Sequence, residues 1–414
     1  MELRMTAKHA QWPRENDPIF AIAGRAKEAQ DKFGKDKVID ATIGALVDDE
    51  GALICMESVY GVLKNLPNAK IAAYAALAGQ PDFLKAVEKA CFREFRPDAH
   101  IRTVATPGGT GAVKHAVWGY TNPGDKILVS DWFWSAYSTI AGDVGRSLTH
   151  HRLFNEKGGF NIESFKESFD ALADEQKRVL TIINSPAQNP TGYSLSDEEW
   201  DQVLEVMKAK AQDSEKRLIL FVDTAYIDFA GEGMERRAFF RKFSGLPENI
   251  LVIVGYSMSK GYTMYGLRSG AAIGISSNED VAEDFYYACL HAGRANWSNG
   301  TRCAMEVMSE IENDPAKLEV YSKELLKYKN MLRARAAAFV KASAEVGLEI
   351  LPYRDGFFTS IPHENPKAVV EKLTEYNIFA VPLKMGVRFA VCAVSEENCA
   401  KAPAIIKKAI DVLK

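Results

Sequence analysis

At 414 residues the chain is longer than one hydrophobic core usually serves, so a large and a small domain are expected. Hydrophobic residues make up 47% and charged residues 26%, and the net charge of −4 gives no reason to expect nucleic acid or a membrane surface as partner. No stretch reaches the length of a membrane span, the first eight residues lack a signal-peptide core, and neither the six Cys nor the seven His show metal-binding spacing; a cytoplasmic protein with reduced thiols and no metal is expected.

In chain order, Asp17-Pro18 opens an apolar-periodic helix through Ile19, Phe20, Ile22 and Ala23 that ends before Gly34, with Asp as cap and Pro in the first turn. Pro81 opens another, with Phe83, Val87, Cys91 and Phe95 on one stripe. Thr103-Val104-Ala105 runs into Thr106-Pro107-Gly108-Gly109-Thr110-Gly111 and a helical stretch over 112–118. Lys126-Ile127-Leu128-Val129 ends at Ser130-Asp131-Trp132-Phe133-Trp134, and Val179-Leu180-Thr181-Ile182-Ile183 ends at Asn184-Ser185-Pro186-Ala187-Gln188-Asn189-Pro190-Thr191-Gly192. Ser196 and Glu199 form a capping box ahead of Trp200, Val203, Leu204 and Met207. Arg217-Leu218-Ile219-Leu220-Phe221-Val222 leads to Asp223-Thr224-Ala225-Tyr226, and Leu251-Val252-Ile253-Val254 leads to Ser257-Met258-Ser259-Lys260. A helix follows over 280–291. Asp314-Pro315 starts a helical pattern reaching about Val346, read as the bridge to the small domain. Beyond it, strand-like pieces at 348–351, 357–361 and 387–394 alternate with helices at 366–376 and 396–413. The expected organisation is residues 1–46 joining a small domain, 47–314 forming the large one, and 315–414 supplying the bridging helix and the rest of the small α/β domain.

Five short aliphatic runs separated by helical stretches describe a largely parallel sheet covered on both faces. Ligands collect at the carboxyl ends of such strands. Lys260 stands where one strand stops, and a partly desolvated amine there can attack a carbonyl to form a Schiff base. Ser257, Ser259 and Arg268 are groups suited to a phosphate monoester. An aldehyde with a phosphate describes pyridoxal phosphate.

Together these residues resemble the fold-type I pyridoxal-phosphate aminotransferases, in the aspartate and aromatic amino acid branch. The resemblance rests on Thr106-Pro-Gly-Gly-Thr-Gly-Ala112, Asn189-Pro-Thr-Gly192, Asp223-x-Ala-Tyr226, Ser257-x-Ser-Lys260 with Arg268, Arg294-Ala-Asn-Trp-Ser-Asn299, and Arg388. It implies transamination between an L-amino acid and a 2-oxo acid, with Lys260 as cofactor anchor and proton shuttle. Asp223 would face the pyridine nitrogen, and Tyr226 and Asn189 the ring oxygen. Gly109, Thr110, Ser257, Ser259 and Arg268 would hold the phosphate at a helix start near Gly111. Trp132 would stack on the ring, although a Trp beside Phe133 and Trp134 suits a core position equally. Gly44 and Arg388 would meet the substrate carboxylate. Tyr74 and Arg294 would act across a homodimer with shared active sites, Tyr74 on the neighbour's phosphate and Arg294 on a distal carboxylate.

Several residues depart from that pattern. Gly300-Thr301 stands where a Pro pair is common, Trp297 replaces a Tyr, Phe133-Trp134-Ser135 lacks an Asn-His pair, and Gln188 precedes Asn189 where a His is usual. These changes touch side-chain specificity more than cofactor chemistry. A β-lyase, decarboxylase or racemase on the same fold remains open, as does a non-catalytic regulator. The paired arginines favour transamination, and no appended helix-turn-helix or basic tail favours the regulator.

Overall fold

A computed structural model describes residues 4–12 and 18–413; the expected cap at Asp17 lies outside them. Among the described residues there are twelve strands: β1 Ile39–Asp40, β2 His100–Thr106, β3 Lys126–Ser130, β4 Ser147–His151, β5 Arg178–Asn184, β6 Arg217–Asp223, β7 Ile250–Ser257, β8 Gly270–Ser276, β9 Thr359–Pro362, β10 Ile378–Phe379, β11 Val381–Pro382 and β12 Gly386–Phe389. Seven form the central sheet in the order β2-β8-β7-β6-β5-β3-β4, and all five apolar runs lie in it. Pairing from β4 through β7 is parallel, while β8 runs antiparallel between β2 and β7. The protein is thus an α/β fold with a mostly parallel sheet flanked by helices.

Burial follows the composition of each strand. Every residue of β7 is buried, and every residue of β6 except Arg217, because helices cover both faces of the sheet. Each such Val, Ile or Leu contributes on the order of 1.5–3 kcal/mol. Val113, Ala116 and Phe285 cover one face; Phe83, Phe165, Trp200 and Val307 cover the other. The small residues of β8 (Gly-Ala-Ala-Ile-Gly-Ile-Ser) give no strand signal, yet packing demands them: a Cβ on Gly274 would stand 2.4 Å from the Phe285 ring. Similarly, β4 is an edge strand of Ser-Leu-Thr-His-His, too polar to show an apolar run.

A second core joins Ile22, Ala26 and Val38 from the chain start to Phe357, Val387 and Ile406 near its end. The helix Pro315–Glu345 reaches both cores, Tyr321 packing in the first and Phe339 in the second. A three-stranded antiparallel sheet, β11-β12-β9, lies in this second region, beside the short parallel pair β1-β10. Two sequence expectations fail here. Residues 348–351 make no strand: Leu351 N–H donates to Ser360 O, but the chain then turns away so that Arg354 and Asp355 N–H donate to Gly192 O. The expected strand 387–394 stops at Phe389, because Ala390 N–H is taken by Ala41 O and Val391–Ala393 form a 3-10 turn. No described helix is long and apolar enough to cross a membrane, and no group of metal-ligating side chains occurs among the described residues.

Candidate active site

Strands β3, β5, β6 and β7 end at one edge of the sheet on Ser130, Asn184, Asp223 and Ser257. Immediately after β7, Met258–Gly261 form a single helical turn whose start is capped by Ser257 Oγ, accepting from Ser259 N–H at 3.2 Å. Gly261 is required by close approach, since a Cβ there would lie 2.0 Å from Asp228 Oδ2. Asp228 in turn is held in a buried pair by Arg237 at 2.6 Å. That turn aims Lys260 inward, its ammonium 5.1 Å from the centre of the Tyr226 ring. Burial pushes the Lys260 pKa down to about 8; the nearby Asp223 charge opposes the shift and Arg268 adds to it.

Asp223 is buried and fully engaged. Oδ2 accepts from the Tyr137 hydroxyl at 2.6 Å, and Oδ1 from Ala225 N–H at 3.1 Å. Its own carbonyl accepts from Asn184 Nδ2 at 2.8 Å. Burial pushes the Asp223 pKa up, while those two hydrogen bonds and the Lys260 charge push back. Asn184 Oδ1 also accepts from Asn189 N–H at 2.8 Å, and Asn189 Nδ2 donates to Tyr226 Oη at 3.4 Å. Gln188 does the work of pinning: its Nε2 donates to Trp132 O at 2.9 Å and to Ser130 Oγ at 3.2 Å. Thus the turn after β5 is tied to the turn after β3.

The helix Gly108–Tyr120 begins four residues earlier than the expected start at 112, with Gly108 at φ +67°. Pro107 offers no side-chain cap, so the first-turn N–H groups remain available to an anion. A Cβ on Gly108 would stand 3.2 Å from Arg268 Nη2, which explains the glycine. Arg268 Nη1 donates to Ser259 Oγ at 3.4 Å and to Tyr265 O at 2.8 Å. Gly109, Thr110, Ser257, Ser259 and Arg268 line a cavity of about 110 Å³ together with Asp223, Tyr226, Asn189 and Lys260. A hollow of about 530 Å³ opens at the amino ends of the strands beside Arg178 and Arg217, and none of these residues lines it.

The donor set fits pyridoxal phosphate. Two hydroxyls, a guanidinium and a helix start suit a phosphate; a carboxylate on the same cavity suits a protonated ring nitrogen; Tyr226 and Asn189 offer donors for a ring oxygen; the amine lines the cavity with them.

Towards the second core, Arg388 on β12 donates from Nη2 to Thr42 O at 2.7 Å and from Nη1 to Asn189 Oδ1 at 3.3 Å, with its guanidinium 4.4 Å above the Phe358 ring. The same ring crowds Gly44, where a Cβ would lie 2.6 Å from Phe358 Cζ. The expected residues Tyr74, Arg294 and Trp132 do not line the cavity of their own chain. Tyr74 is 87% exposed, and Arg294, near the end of the helix Glu279–Asn296, is exposed and paired with Ser298 Oγ. Trp132 is buried against Gly386, whereas Trp134 lines the cavity. Trp134, Tyr137 and Asn184 were not singled out from the sequence. Only Asn184 carried a signal, as a polar residue ending an apolar run.

The family model described as aminotransferase class I and II matches residues 36–406. Among solved structures, an aminotransferase from Anaerococcus prevotii is 42% identical and superimposes over 100% of both chains with a TM-score of 0.96. The aspartate aminotransferase of Pseudomonas aeruginosa is 26% identical over 92% of this chain and 94% of that protein. The aromatic-amino-acid aminotransferase of Paracoccus denitrificans is 25% identical over 77% of this chain and 80% of that protein.

Proposed function

This chain belongs to the class I and II aminotransferases, a pyridoxal-phosphate-dependent family, and we propose that its amino donor is an acidic or aromatic L-amino acid, exchanged with a 2-oxo acid such as 2-oxoglutarate in two alternating half-reactions. One observation carries the reading: a half-buried amine of lowered pKa shares one cavity with a carboxylate and an anion cradle, all at the carboxyl edge of one sheet. The relatives named for aspartate and for aromatic amino acids support the two donor classes.

When bound, pyridoxal phosphate supplies the aldehyde that takes up the amino group and the ring that accepts the electrons of the broken Cα–H bond. The protein's part is binding, aiming and proton movement. Ser257, Ser259, Arg268 and the helix start at Gly108 would hold the phosphate. Asp223 would keep the ring nitrogen protonated by its charge, and Tyr226 and Asn189 would donate to the ring oxygen. Lys260 would move the Cα proton and return it one atom further on; burial lowers its pKa to about 8, so the free amine needed for this forms at mildly alkaline pH rather than near its ordinary value. Arg388, stacked on Phe358 beside Gly44, grips the α-carboxylate that every donor and acceptor carries.

Tyr74 and Arg294 lie outside their own chain's cavity and are exposed. They are assigned to the partner's site in a homodimer, Tyr74 at the phosphate and Arg294 at a distal carboxylate. The cysteines are free, as in a reducing compartment, and the chain is assigned to the cytoplasm.

Absorbance tests the reaction directly. Adding an L-amino acid should abolish the visible band of the bound cofactor, and adding 2-oxoglutarate should restore it. A lyase or decarboxylase would release its product without needing the 2-oxo acid, and that outcome would overturn the reading. A panel of donors, aspartate and glutamate against phenylalanine and tyrosine, then decides the side-chain class.

A further inference from the structure

Asp223 is buried where burial alone favours its neutral form. Something must keep it ionised, and backbone supplies only one donor, Ala225 N–H on Oδ1. The other oxygen is met by Tyr137, from the helix Ala136–Asp143 that follows β3, at 2.6 Å. At that distance one group must donate, and a carboxylate can only accept, so the phenol does. Tyr137 is 2% exposed and packed among Val113, Ala116 and Ile140. Its ring meets Trp134 edge-on at 5.4 Å and 80°, and Trp134 lines the cavity. The phenol is therefore fixed in place. Unlike an imidazole, it keeps its proton through the neutral range, since burial and the Asp223 charge both push its pKa up.

We propose that Tyr137 is a positioning residue that holds the Asp223 carboxylate ionised and aimed at the cofactor's ring nitrogen; this rests on the role given to Asp223 above. Other charged or titratable groups around the pair are few. Tyr226 faces Tyr137, and Lys260 faces Asp223. Asp143, on the helix of Tyr137, is paired with Lys114 of the helix Gly108–Tyr120, and His115 of that helix lies tilted against Trp297, ring centres 4.8 Å apart.

Removing the donor while keeping the ring, by Tyr137→Phe, leaves burial of Asp223 less opposed. Its pKa then rises, and the carboxylate is lost at a higher pH. The acid limb of kcat should move up by about one to two pH units, with KM for the amino donor changed less than about twofold. Cofactor release during dialysis at pH 6, followed by absorbance without any substrate, should accelerate about tenfold or more. Tyr137→His should recover part of both effects, because it restores a donor. Asp223→Ala serves as the reference. If Asp223→Ala speeds release and Tyr137→Phe behaves as wild type in both readouts, the inference about Tyr137 fails alone. If neither variant changes release or pH profile, the role of Asp223 fails and takes the inference with it.

Discussion

The cofactor end of the site and its substrate end are built differently. At the cofactor end the groups follow strands of one buried sheet: Asn184 from β5, Asp223 from β6, Ser257 and Lys260 from β7, with Asn184, Asp223 and Ser257 hydrogen-bonded within 3.5 Å and the Lys260 amine 5.1 Å from the Tyr226 ring centre. At the substrate end, Gly44, Phe358 and Arg388 come from the second core, and Tyr74 and Arg294 stand exposed on the surface of the first region. The difference teaches where chemistry and selectivity reside. Proton transfer needs groups held to fractions of an ångström, which a fully buried parallel sheet supplies. Donor choice uses groups on other elements, which can change without disturbing the sheet.

The largest effect should come from the rigid end. Lys260→Ala removes the cofactor's anchor and the Cα base together, so single-turnover amino transfer should fall by several orders of magnitude while cofactor still binds through the phosphate cradle. Near-normal turnover would erase the contrast between the two ends.

Arg388→Ala should come next. Losing a charged bidentate contact in a buried site costs on the order of 2–5 kcal/mol, or about 30-fold to several thousand-fold in kcat/KM, and equally for every donor. Arg294→Ala should be smaller and selective: about tenfold to a hundredfold for aspartate and glutamate, with little change for phenylalanine. Equal losses on both donor classes would remove Arg294 as selector and direct attention to Gly300-Thr301.

A subtler probe is Gly44→Ala, whose new methyl would press on Phe358 at 2.6 Å. Overpacking of this kind costs about 1–3 kcal/mol. Because Arg388 stacks on that ring, KM should rise for all donors, read in steady-state kinetics beside a melting curve. The smallest effect is one of pH. Below about pH 8 the Lys260 amine is protonated and cannot attack an aldehyde, so the rate of cofactor capture by cofactor-free protein should climb with pH and level off just above pH 8. A rise continuing towards pH 10 would show an amine in contact with water.

The two ends also differ in what the sequence discloses. Strands β3, β5, β6 and β7 announce themselves as aliphatic runs, and the polar residue closing each run points to the site. By contrast β8, rich in Gly and Ala, reads as nothing in particular because its composition answers to helices packed on it. The segment 348–351 is apolar enough for a strand, but the chain beyond it is spent holding the Gly192 turn. Tyr137 was invisible for a further reason: it lies 86 residues from Asp223, and only the packing of its helix brings the hydroxyl to the carboxylate. Trp132 and Trp134, two residues apart, could not be told apart by pattern.

The central claim is that Lys260, at the end of β7, is the amine that receives the cofactor. Borohydride reduction of the cofactor-loaded protein fixes the aldehyde to whichever lysine holds it, and peptide mapping by mass then locates it. The account predicts the pyridoxyl group on the peptide containing Lys260 and nowhere else. Its appearance on any other lysine, or labelling of the Lys260→Ala variant to the same extent, would contradict it.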